Sequence, residues 1–255
     1  DPYLNVTPIA TFETVSVEGK PYYRITHALA NSFRNTEIPL NKPANSLRVF
    51  CLGGSACAGW PHPGEETFSA YLERALRLAY PNRRVDVFNI GTHGFASYRV
   101  RMLFDEVLRM DPDLVIVWTG NNEFLEKREY SVGSKVVSFA NQHLLTVQLI
   151  RQSFFDPAKQ SGNTFKTNDK AFSDTFWQKV KRESLELRSD PGQFAKVKTH
   201  YRESIEYMIR EAEEHHVRLL LFTVPVNLRH WLPTVSCNRL SGSQLDPWQK
   251  LYDSG

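Results

Sequence analysis

Cysteine is scarce: Cys51, Cys57 and Cys237 are the only thiols in 255 residues. Three thiols make no disulfide framework, which excludes a small cross-linked scaffold and leaves the redox compartment open. Long apolar runs are absent, and none reaches the roughly 18 residues that a membrane-crossing helix needs. Charge of one sign is also lacking. The net charge is only +3, and no basic stripe alternates with aromatic residues, so nucleic acid is not an expected partner. Neither G-x-x-x-x-G-K-[ST] nor G-x-G-x-x-G occurs, which removes the two commonest phosphate-cradling fingerprints. The last absence matters most later: no aspartate has a histidine three residues after it.

What is there is a globular composition, 41% hydrophobic and 23% charged, enough to predict a packed core. The first residue is Asp1 and not Met, which predicts a start that has been trimmed or removed. Asn5-Val-Thr7 fits the glycosylation pattern, a match that chance also produces.

Residues 1–46 read as a lead-in. The alternation over 11–17, the turn Gly19-Lys20-Pro21 and the run 22–26 predict a β-hairpin, and Pro39 with Pro43 predicts an extended connector. From Leu47 strands and helices alternate: strand 47–52, helix 66–78, strand 85–88, helix 98–110, strand 114–118, a long helix from Asp190-Pro191 to about 214, and strand 217–224. This order predicts an α/β domain over 47–240, with three α/β/α layers and a mainly parallel sheet. Residues 124–190 read as a lid-like helical insertion: a helix over 138–155, a polar loop over 156–174 and a charged helix over 174–187. Residues 241–255 open a further helical segment, with a helix near 244–252. No internal repeat is visible.

Three segments place small or amide residues just after a predicted buried strand. They are Gly53-Gly54-Ser55-Ala-Cys-Ala-Gly59, Asn89-Ile-Gly-Thr-His-Gly94 and Gly120-Asn121-Asn122-Glu123. Open α/β sheets bind ligands outside the carboxyl ends of their strands. Ester hydrolysis needs a nucleophile, a base and donors for the developing oxyanion. Ser55 offers a hydroxyl at a strand-to-helix turn, Gly94 an unobstructed backbone N–H, and Asn122 a side-chain amide. Each has a plainer reading: Ser55 as the cap of an anion-binding loop, Gly94 and Asn122 as turn residues. Cys57 is close enough to Ser55 to be weighed as a chemical group, and Cys51 reads as a small buried hydrophobe.

The three segments resemble blocks I, II and III of the SGNH/GDSL hydrolase family. The resemblance covers residues 47–124 in detail and extends loosely to strand 217–224. It implies a flavodoxin-like α/β/α fold, a Ser55 nucleophile, and Gly94 and Asn122 as oxyanion donors, with no cofactor and no metal. Gly54 stands where many members carry Asp, and Glu123 where Asp is usual; both residues are expected at the substrate. The family closes with D-x-x-H after a last strand, and this chain has none. Glu213-Glu-His-His216 has the spacing with Glu, but it precedes strand 217–224 and so falls at the wrong end of the sheet. His62 and His93 lie near the first two loops, where they read as decoration. His230 follows the last predicted strand and is the remaining candidate base within the chain, with Asn227 and Arg229 beside it as candidate substrate contacts. An exposed loop without chemistry is the competing reading.

The run from Val226 to Pro233 and the end of the chain from Trp248 resemble a bacterial subgroup with a tetratricopeptide-type insert before the last block. That resemblance implies that the last strand and the Asp/His pair follow the insert, so the sheet in this segment would lack its last strand. It also implies a membrane anchor outside this chain and an extracytoplasmic location. The expected activity is hydrolysis or transfer of a small acyl group such as acetyl, on a small molecule or a glycan. An inactive SGNH-fold binding or scaffold protein is the alternative, and a phosphate- or nucleotide-binding domain a weaker third. The oligomeric state is not readable from the sequence.

Overall fold

The computed structural model describes residues 11–26, 37–125 and 182–224, with Gln178, Pro247 and Lys250. The lid-like segment and the 244–252 helix therefore lie largely outside the described residues.

At the amino-terminal end, β1 (Phe12–Val17) runs antiparallel to β2 (Lys20–Ile25). The chain turns through Glu18 and Gly19, both with positive φ, as a tight hairpin requires. The turn thus sits just ahead of Lys20-Pro21, which lies inside β2. A third strand, β3 (Glu37–Pro39), pairs with β2 where the sequence predicts only a connector. It is a short edge strand ending in proline, a position that loses no ladder hydrogen bond.

The main sheet is parallel throughout, as expected. β4 (Ser46–Gly53) lies between β5 (Arg84–Gly91) and β6 (Leu114–Trp118), and β7 (Arg218–Phe222) follows β6. The spatial order β5-β4-β6-β7 is the flavodoxin-like arrangement, four strands of it among the described residues. After β4 the chain steps out to β5, then returns across β4 to β6, so the topology switches between β4 and β6.

Alternation along β4 supplies both faces. Val49 and Cys51 pack toward Phe68, Leu72 and Leu76 of α2 (Phe68–Ala79). A short helix, α1 (Ser55–Ala58), precedes α2. Phe50 and Leu52 pack on the other side, with Leu103 and Val107 of α3 (Ser97–Leu108) and Met208 and Ala212 of α4 (Pro191–Glu214). Burying a side chain of this kind contributes about 1.5–3 kcal/mol. The helix ends follow local signals. Thr67 accepts from the Ala70 N–H at the start of α2, and Asp190 Oδ1 accepts from Gly192 (2.8 Å) and Gln193 (3.1 Å) ahead of α4, with Pro191 in its first turn.

The small sheet is fastened to the main domain rather than trailing from it. Phe12, Ile25 and Ile38 share the core with α3. Glu106 of α3 accepts from the backbone N–H groups of Thr11 (2.9 Å) and Phe12 (3.2 Å). Arg48 of β4 is fully buried and donates to the carbonyls of Met110 (2.6 Å) and Pro39 (2.9 Å). Burial lowers its guanidinium pKa, and the charges of Asp111, Asp86 and Asp113 oppose that shift. Between α3 and α4, Tyr207 donates to Asp105 Oδ1 at 3.0 Å.

Arg48→Ala removes both donors and strands the two carbonyls, so stability should fall by about 2–4 kcal/mol in urea unfolding. Burial, then the charge of Asp105, pushes the Tyr207 phenol up to about 12. A raised folded-state value means that the unfolded chain ionises first. The contribution is present below the ordinary phenol value and is lost as pH rises toward 12. Tyr207→Phe should flatten the fall in urea midpoint between about pH 10 and 11.5 relative to the parent; an identical slope in both proteins would contradict this.

Candidate active site

The strand register brings three strand ends level. Gly53 of β4 pairs with Gly91 of β5 on one side and with Trp118 of β6 on the other. Ser55, Gly94 and Asn122 follow just beyond this line, on one rim, at the topological switch point.

Ser55 is the first residue of α1, and Gly54 occupies the cap position with no side-chain cap. The reading of Ser55 as a capping hydroxyl is thereby corrected. The hydroxyl is partly exposed and makes no hydrogen bond among the described residues. The segment is held in place by close packing. A Cβ at Gly53 would stand 2.1 Å from the Trp118 carbonyl oxygen, and one at Gly91 would stand 2.4 Å from the Ala58 nitrogen. Asn89 closes this corner: its Nδ2 donates to the Cys57 carbonyl (2.9 Å) and Ser69 Oγ (2.8 Å), and its Oδ1 accepts from the Gly91 N–H (2.9 Å).

Asn122 is 6% exposed. Its Nδ2 donates to the Phe95 carbonyl at 2.9 Å, which fixes the amide and leaves its second hydrogen unassigned. The same nitrogen lies against Gly54, where a Cβ would come within 2.2 Å of it. A larger residue at position 54 would displace the Asn122 amide. Gly94 has φ +72°, is exposed, and has open space around its Cα. Its N–H has no partner among the described residues. The Thr92 N–H donates to the Gly53 carbonyl at 3.0 Å, which joins the Gly94 loop to the end of β4.

Glu123, expected at the substrate, is turned inward at 3% exposure. Its Oε1 accepts from the Ser97 N–H (2.8 Å) and its Oε2 from Ser97 Oγ (2.9 Å). It therefore binds the first turn of α3, where a carboxylate is favoured by the unpaired N–H groups and the helix dipole. Asn122 and Glu123 together tie the β6 turn to the loop that carries Gly94.

The described histidines are dispersed. His62 is exposed, 3.8 Å from Glu66. His93 is exposed on the Gly94 loop, edge-on to Trp60 with ring centroids 6.0 Å apart. His215 and His216 end α4 at the amino edge of the sheet. His200 is buried against Tyr98. His230, Asn227 and Arg229 lie outside the described residues. Burial raises the Cys57 thiol well above its ordinary value, so it stays protonated and is no nucleophile.

Sequence reasoning missed Tyr201. Its position on the apolar face of the long helix marks it as core, yet its hydroxyl lies beside Gly120. Burial, then the charge of Glu123, raises this phenol, which keeps it a neutral donor. Tyr201 also walls a cavity of about 360 Å³ at the carboxyl ends of β6 and β7, with Thr119, Gly120, Leu221 and Val224. Beyond Tyr201, the first turns of α4 stand past the rim, where Phe194 stacks on Phe124 at 5.2 Å and Arg188 covers the same ring at 5.0 Å. A larger cavity of about 510 Å³ opens at the opposite edge of the sheet. There Asp113 already pairs with Lys42 (2.9 Å), and Arg83 approaches it to 3.9 Å. Among the described residues no three His, Cys, Asp or Glu side chains are grouped to hold a metal ion, and no helix is long and apolar enough to cross a membrane.

Glu123→Ala leaves the buried Ser97 N–H unpaired and should cost about 1–3 kcal/mol, whereas Glu123→Gln keeps one acceptor and should cost less. Urea unfolding of the two variants checks this order.

No family model matches the chain, and no curated protein does. Solved structures with a similar fold include AlinE4, an esterase of the SGNH-hydrolase family, at 17% identity and TM-score 0.34, covering 84% of this chain and 96% of that one. A lipase from a goat rumen metagenome is similar at 13% identity and TM-score 0.41, over 82% and 73% of the two chains. A G-D-S-L family lipolytic protein from Desulfitobacterium hafniense is similar at 17% and 0.29, over 69% and 77%. At these distances the functional reading rests on the geometry of the site itself.

Proposed function

We propose that this chain is a serine ester hydrolase of the SGNH type. One observation carries the reading: the Asn122 amide lies against Gly54, immediately before Ser55, while the loop bound to the same amide presents the N–H of Gly94, unpaired among the described residues. Ser55 Oγ attacks the acyl carbon, and its proton passes to a base. The carbonyl oxygen becomes an oxyanion that receives the Gly94 N–H and the second hydrogen of Asn122 Nδ2. Collapse expels the alcohol, and water then releases the acyl group from Ser55 by the same steps. Fixed donors reorganise little as charge develops, which is why they lower the barrier.

The base belongs to a histidine beyond the described residues, with His230 the candidate within this sequence. The acyl group is small, such as acetyl, and its carrier is a glycan or another small alcohol. A sugar hydroxyl in place of water would make the reaction acyl transfer. The setting proposed is extracytoplasmic, with an anchor outside this chain.

The Ser55 hydroxyl, without a hydrogen bond among the described residues, supports one other reading, a fold kept for binding without turnover. A fluorophosphonate probe separates the two. Labelling that disappears in Ser55→Ala supports the hydrolase, and absence of labelling supports the binding protein. With a turned-over ester in hand, Asn122→Ala should lower kcat by about 10²–10³ with little change in KM. An equal rise in KM with kcat intact would remove Asn122 from the oxyanion site.

A further inference from the structure

The rim around Ser55 has two unlike sides. Beyond Asn122, toward β7, a mostly apolar cavity open to solvent is walled by Leu221 and Val224. The other side, toward β5, is marked by an exposed aromatic ring. There the chain leaves α1 through Gly59, at φ +81°, and presents Trp60. The Trp60 N–H donates to the Ser55 carbonyl at 3.1 Å, so the backbone bearing the indole is fixed to the nucleophile's own residue. The indole is nonetheless 66% exposed. Its edge contact is the imidazole of His93, which is itself exposed and one residue from Gly94.

Leaving an indole in water forgoes one of the largest burial gains available to a side chain. A tethered, solvent-facing indole therefore has the form of a stacking surface. The shape of this side discriminates between ligands. An alkyl chain is held by apolar walls on several sides, and the apolar lining of the β7 side suits it better than a single exposed ring does. A flat open ring suits a ligand with one apolar face and polar edges. The His93 imidazole, and the turn carrying His62 and Glu66, put polar groups around it.

From this we infer that Trp60 and His93 form a stacking platform for the alcohol half of the ester, and that this half is a saccharide ring. The inference rests on the hydrolase reading for its place in the reaction, but the binding surface can be tested apart from it. The acyl group points toward the β7 cavity and the sugar lies over Trp60, with the scissile bond at Ser55 between them.

The test compares an O-acetylated disaccharide with ethyl acetate, which has no ring, on the full chain. Trp60→Ala should lower the ratio of kcat/KM for the saccharide to kcat/KM for ethyl acetate at least about tenfold. His93→Ala should lower it less, and Trp60→Phe should restore part of it. A ratio that stays constant across these variants would overturn the platform. Circular dichroism identifies any variant that fails to fold, and Trp60→Phe then carries the comparison. Calorimetry of the unacetylated disaccharide with Ser55→Ala, with and without Trp60→Ala, reads the platform without turnover. Binding that depends on Trp60 supports the platform even where neither ester is hydrolysed, an outcome that would count against the hydrolase reading alone. No binding, or binding indifferent to Trp60, overturns it.

Discussion

The site depends on how closely three pieces of backbone approach one another at the carboxyl edge of the sheet. Helix α1 lies directly on the ends of β4 and β5 because Gly53 and Gly91 carry no Cβ, and the Asn122 amide reaches the Ser55 turn because Gly54 carries none. A methyl group at any of the three would fall well inside van der Waals contact, and in two cases against backbone that cannot swing away. Side-chain bonds then fix what the glycines allow. Asn89 fastens α1, Asn122 fastens the Gly94 loop through Phe95, and Glu123 fastens α3 through Ser97. Every group assigned a chemical role stands on this one close-packed corner.

The rest of the fold keeps the corner rigid. β4 is buried on both faces, and its alternation feeds two separate cores. The small amino-terminal sheet is bonded to the far end of the same strand through Arg48 and to α3 through Glu106. The strand that leads to Ser55 is thus fixed by glycine contacts at its carboxyl end and by a buried guanidinium toward the other.

Much of this was legible in the sequence where a signal was local. The apolar run before Gly53, the pattern of strand 114–118 and the Asp190-Pro191 start of the long helix follow from periodicity and capping alone, and the structure has each of them. The rim position of Ser55, Gly94 and Asn122 follows from counting strand ends. What was not legible depends on contacts distant in sequence. β3 exists because β2 offers it an edge, not because Glu37–Pro39 has strand character. Glu123 was expected to face a ligand, and only the placement of α3 turns it inward. Tyr201 sits on the core face of its helix and gives no sign that its hydroxyl reaches Gly120. The structure leaves His230, Asn227 and Arg229 where the sequence left them.

Helix α4 has 24 residues, about 36 Å of rod, beside a β7 strand of five residues, about 17 Å long. Its lower half is clamped in the core by Met208 and Ala212, and Tyr201 rests on Gly120 at the level of the rim. The helix therefore meets the edge of the candidate site partway along its length. Its amino-terminal part is seated too, through buried Val197 and His200 and the stack of Phe194 on Phe124, so one continuous rod braces the rim that carries Gly120, two residues from Asn122.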